Sequence, residues 1–152
     1  MIYGIDCSMR RVAIACPEQQ WTTTTKLSAK VGHVDAMHQL KAFAGYVIPP
    51  GSSVWIESPV VAGARNIQST LKAALSTGAV VAALEQSTVR MVAISSWKKA
   101  VCGYGAADKD GVAAWLECSD EVLSSACHGD QDCIDATCIA LYGYLGEAGE
   151  LL

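Results

Sequence analysis

MIYGIDCSMRRVAIACPEQQWTTTTKL, residues 1–27, decides the fold. Its β-branched and aromatic residues fall into three runs, residues 1–7, 11–17 and 21–27, separated by short polar stretches. Runs of this kind predict consecutive strands, and turns this short leave antiparallel neighbours, so the opening is expected to be a three-strand meander. Downstream the period changes. Across residues 29–47 the apolar positions Val34, Met37, Leu40, Ala44 and Val47 fall at close to three-and-four spacing, which predicts an amphipathic helix ended by Pro49-Pro50-Gly51. Residues 53–57 then predict a short strand stopped by Ser58-Pro59. Residues 66–85 predict a long alanine-rich helix that tolerates Gly78, and residues 88–94 a fifth strand.

The rest of the chain is expected to be helical. A short helix from Ser96 leads to the turn Gly103-Tyr104-Gly105, a second helix covers residues 107–117, and a last one runs from 132 to 145. Small polar residues at 124–131 predict a mobile loop. Strands followed by alternating helices and strands imply an α/β layer fold with a mixed five-stranded sheet flanked by helices, and one domain over residues 1–152.

Two acids close strands in this scheme, Asp6 and Glu57. If those strands are parallel neighbours, both carboxylates enter the crevice beyond the strand ends, where α/β folds place ligands. Asp132 and Asp135 are three apart and share one face of the last helix. Asp135 also continues the stripe Cys138, Ile139 and Tyr142 that is expected to face the sheet. Singly, each acid has an ordinary explanation: a helix N-terminus for Asp132, a turn before Ser8 for Asp6, a solvated strand end for Glu57. Jointly they suit two-metal phosphodiester chemistry, because two divalent cations beside one phosphate need hard carboxylate oxygens close together.

Composition leaves that reading open. Apolar residues make up 51% and charged residues 17%, which excludes a disordered chain. Asp6, Arg10 and Arg11 interrupt the place where an export signal needs its apolar run, and no apolar stretch reaches the eighteen or so residues of a membrane span; a soluble, cytoplasmic protein is expected. Seven cysteines, an odd number without a CxxC pair, do not suggest a disulfide framework, and the spacing of Cys118, Cys127, His128 and Cys133 lacks the paired knuckles of structural zinc sites. The net charge of −4 is unusual for a DNA-binding chain. Setting aside the four candidate ligands, however, leaves as many acids as Lys and Arg, eleven each. No GxxxxGK[ST] pattern is present, which argues against a P-loop nucleotidase.

Four segments, in order, carry a resemblance: Gly4-Ile5-Asp6-Cys7-Ser8, Trp55-Ile56-Glu57, the stretch from Trp97-Lys98-Lys99 through Gly103-Tyr104-Gly105 to Asp108-Lys109, and Asp132-Cys133-Ile134-Asp135-Ala136. Together they resemble the RuvC-type Holliday-junction resolvases across nearly the whole chain. The resemblance implies an RNase H-like fold, a homodimer, and Mg²⁺-dependent paired cutting of four-way DNA junctions. It places Asp6, Glu57, Asp132 and Asp135 as catalytic ligands of two Mg²⁺ ions, with Mn²⁺ as an alternative metal. It also places Lys98 and Lys109 beside the DNA backbone, with Lys99 an added neighbour. Gly103 and Gly105 would let the backbone approach a phosphate, and Arg10, Arg11, Arg65 and Lys72 would extend a basic track. One departure stands at Ser58-Pro59-Val60-Val61, where the family commonly carries an aromatic that stacks into the opened junction. Forks, flaps and three-way junctions therefore remain candidate substrates beside four-way junctions. Two other classes are weighed: a non-catalytic protein that binds branched DNA, and an actin-like ATPase, which shares the opening motif but needs a second lobe.

Overall fold

A computed structural model describes residues 1–59 and 67–150. Strands β1 (Ile2–Cys7), β2 (Arg11–Cys16) and β3 (Trp21–Lys26) form the expected meander. After helix α1 (His33–Val47), strand β4 (Ser53–Glu57) returns parallel to β1, and after α2 (Ile67–Val81), strand β5 (Thr88–Val92) lies parallel to β4. The sheet order is β3-β2-β1-β4-β5. Helices α3 (Ile94–Cys102), α4 (Lys109–Ser119), α5 (Glu121–Ala126) and α6 (Gln131–Glu147) complete the chain. Among the described residues, no helix is long and apolar enough to cross a membrane.

The side-chain alternation of the strands divides the core into two layers. Tyr3, Ile5, Val12, Ile14, Val54 and Ile56 point to one face and pack with Leu40 and Ala44 of α1 and Val80 of α2. Ala13 and Ala15 point to the other face, among Trp97, Val112, Leu116, Ile134 and Ile139 from the later helices. Burial on both faces explains why the central strands are apolar almost throughout.

On the second face α6 comes unusually close to β1. A Cβ added at Gly4 would stand 2.0 Å from the Ala136 carbonyl oxygen and 2.4 Å from the Ala140 nitrogen. Gly143 is used in the same way against Trp55, whose Cδ1 would be 2.4 Å from a Cβ there. Two missing side chains, one on a strand and one on the helix, thus let α6 lie directly on the sheet.

Several boundaries differ from the sequence-based expectation: α2 ends at Val81 and not at residue 85, and α4 covers Lys109–Ser119 and not residues 107–117. Helix α1 starts at His33 and not at residue 29, because the Arg10 guanidinium draws the Ser28 and Val31 carbonyls to itself, at 3.0 and 2.6 Å. Ile94 opens α3 and does not end β5. Residues 124–126, expected in a loop, belong to α5, whose N-cap Asp120 accepts from the Leu123 backbone N–H at 3.0 Å while Leu123 is buried. What remains of that loop is a tight turn with His128 and Gly129 at φ of 50° and 70°. The predicted start of the long helix, Asn66, lies outside the described residues.

Candidate active site

Strand register places the first two acids. Gly4 pairs with Trp55 and Ile5 with Ile56 across the parallel β1 and β4, so Asp6 and Glu57 are the next residues of each strand and share a face. By alternation that is the face of Gly4, on which α6 lies. The first turns of α6 then bring Asp132 and Asp135 over the same strand ends. Each of the other three acids acts on the charge of Asp6, which the topology could produce only by assembling them together.

Burial raises Asp6 from 3.8 to about 8, reinforced by repulsion from Glu57, Asp132 and Asp135 and relieved by Arg11. Glu57 and Asp135 are also raised, first by burial. For Glu57 an indole hydrogen bond and the Lys98 charge oppose that rise; for Asp135 the Gln131 amide, Lys98 and Lys109 do so. Mutually repelling, half-buried carboxylates of this kind are a donor set that a divalent cation would neutralise.

Three of the four carboxylates nevertheless have a partner in the protein. Trp97 donates its Nε1–H to Glu57 Oε2 at 2.8 Å, and Gln131 Nε2 donates to Asp135 Oδ1 at 2.9 Å. Arg11 Nε lies 2.9 Å from Asp132 Oδ2, while its terminal nitrogen pairs with Asp130. Asp130 is the N-cap of α6, accepting from the backbone N–H groups of Asp132 and Cys133 at 3.0 and 3.2 Å. Among the described residues no three His, Cys, Asp or Glu side chains converge into a finished metal cage. The donor chemistry of the four acids fits hard cations.

The basic candidates divide. Lys98 donates to the Ala107 carbonyl at 2.6 Å, covers the Trp97 ring at 5.5 Å, and with Lys109 eases ionisation of Asp135. Lys99 is exposed on the same helix. Gly103 caps α3 with φ of 77°, and Gly105 packs so tightly on the Ser95 carbonyl that a Cβ would stand 2.8 Å away. Both glycines thus have local structural work beside any phosphate contact. Of the expected basic track, Arg10 bonds to backbone carbonyls of the 28–31 segment and Arg11 pairs with Asp130 and Asp132. Arg65 lies outside the described residues. Sequence reasoning missed Trp97, Gln131 and Asp130, the partners that hold or frame the acids. Of these only Asp130 carried a local signal, an acid directly before a helix.

A family model for "Crossover junction endodeoxyribonuclease RuvC" matches residues 48–142. The chain belongs to the RuvC family. The stretch matched by the RuvC model contains Glu57, Asp132 and Asp135, whereas Asp6 precedes it. The fold is also that of Thermus thermophilus RuvC, with a TM-score of 0.74 at 18% identity over 97% of this chain and 96% of that one. A second similar structure, T. thermophilus RuvC in complex with a Holliday junction substrate, gives 0.69 at 21% identity over 95% of each chain. No curated protein sequence matches. The RuvC likeness thus bears out the RNase H-like fold that the resemblance implied, built on a mixed sheet of a meander and two parallel additions.

Proposed function

We propose that this RuvC-family chain, acting as one domain, is a metal-dependent endonuclease that resolves four-way DNA junctions. The observation that carries the reading is the meeting of four acids from β1, β4 and α6 at the strand ends of a RuvC-family fold. Asp6, Glu57, Asp132 and Asp135 would hold two Mg²⁺ ions, or Mn²⁺ in their place. When bound, the metal supplies an activated water and charge neutralisation at the leaving 3′ oxygen. The protein contributes the rest. Its carboxylates come from a rigid sheet and one helix, so their spacing is fixed before substrate arrives. Lys98, Lys99 and Lys109 meet the phosphate backbone beside them, with Gly103 and Gly105 in the connecting turn allowing close approach.

Two symmetric cuts need two sites facing one junction, so the working form is a two-fold homodimer. Support comes from α2, where Ile67, Leu71 and Leu75, spaced four apart, are 55%, 57% and 49% exposed. An apolar stripe of that kind suits a second copy of itself. Forks, flaps and three-way junctions belong to the substrate range to be tested, because no aromatic follows Glu57 in Ser58-Pro59-Val60-Val61.

The test is cleavage of end-labelled four-way junction, fork, flap and linear duplex with and without Mg²⁺, using the native chain, Asp6→Asn and Asp135→Asn. Paired junction nicks that need Mg²⁺ and vanish in both variants support the reading. Junction binding without metal-dependent cutting replaces it with the non-catalytic DNA-binding alternative.

A further inference from the structure

Trp97 is wholly buried, at 0% exposure, in the layer formed with Val101, Val112 and Leu116. Helix α3 opens two residues after β5 ends, beside the end of β4, and that position lets the ring of a core residue reach the rim of the sheet. Its single polar atom, the indole N–H, is donated to Glu57 Oε2 at 2.8 Å. A buried indole needs an acceptor, and a carboxylate makes the bond charge-assisted. The rigid ring can turn about only two side-chain bonds, and packing removes that freedom, so the bond fixes the carboxylate and not the reverse.

We propose that Trp97 is a positioning residue for Glu57: its indole N–H holds one carboxylate oxygen so that the other is presented to a divalent cation. The inference rests on the reading of Glu57 as a metal ligand. A phenylalanine at 97 keeps most of the packing and removes the donor. Groups that orient a metal ligand typically change metal affinity by 10–100-fold when removed, and a loss of about that size is expected here.

The experiment measures Mn²⁺ binding to the DNA-free full chain by electron paramagnetic resonance, with thermal melts in chelator alongside, for native, Trp97→Phe, Glu57→Gln and Val101→Ala. Val101→Ala thins the same core layer from the same helix, and is expected to lower Tm while leaving Mn²⁺ affinity at the native value. Trp97→Phe is expected to lose affinity by more than any fall in Tm accounts for. In native protein the indole N–H resonance of Trp97, assigned by elimination with Trp21→Phe, Trp55→Phe and Trp115→Phe, is expected to shift on adding Mg²⁺ and in Glu57→Gln. That resonance decides the matter if Trp97→Phe does not fold. Native affinity in Trp97→Phe, or an indole signal indifferent to Mg²⁺, overturns the inference alone, provided Glu57→Gln still weakens Mn²⁺ binding. A native chain without Mn²⁺ binding overturns both this inference and the metal-site reading beneath it.

Discussion

Asp6 is where the electrostatic conflict of the site converges, and the conflict has a measurable sign. In the folded chain it titrates at about 8 against an ordinary 3.8, so between those values the native state holds a proton that the unfolded chain has lost. Its contribution to stability is therefore complete below about pH 4, falls as pH rises, and levels off beyond about pH 8. Asp6→Asn removes that decline. In chelator the variant is expected to melt with the native protein near about pH 4 and above it at about pH 8, while losing junction cleavage at every pH. Melts across the pH range, paired with the nicking assay, check this. Gly4 makes a second residue-scale prediction. With an added Cβ only 2.0 Å from the Ala136 carbonyl, Gly4→Ala must displace α6, and overpacking of this severity is expected to cost about 3 kcal/mol or more in chemical denaturation. Cutting is expected to fall with it although no acid has changed.

At the scale of elements, the decisive unit is the N-terminus of α6. Asp130 caps it and also receives Arg11 from β2, so one side chain ties the helix to the sheet and to the neighbour of Asp132. Asp130→Ala is expected to lower stability by about 1–2 kcal/mol in denaturant titration and to weaken cutting, since Arg11 would then bear on Asp132 alone. The strands were legible in the sequence because short runs of β-branched and aromatic residues bounded by polar turns are local signals, and Asp6 and Glu57 stand at the ends of two such runs. Helix α5 was not, since Ser124 and Ser125 look like loop and the capping Asp120 stands just outside them. Nor could the sequence reveal that Trp97 meets Glu57 or Arg11 meets Asp130, because these contacts span 40 and 119 residues and exist only once the layers have closed. Arg11 was expected in a basic track on the strength of its charge, and its charge alone did not reveal that Asp130 and Asp132 pair with it.

For the whole molecule, one face of the sheet carries the acids and the other, through α2, carries the exposed stripe of Ile67, Leu71 and Leu75. Leu71→Glu places charge in the middle of that stripe and is expected to give a monomer on gel filtration and to convert paired nicks into single ones. Lys99→Ala is expected to weaken junction binding evenly across sequences and to reduce the salt dependence by about one counterion. Layering also has a consequence for how the protein is made. Asp6 lies in the first strand and Asp135 in the last helix, so a ribosome has delivered nearly all of the described chain before the acids can meet. The centre of the sheet can pair earlier, but α6, which seals its second face, comes last. A chain made only as far as α5 lacks two of the four acids, so a nuclease that uses all four gains its cutting power only after α6 has been delivered.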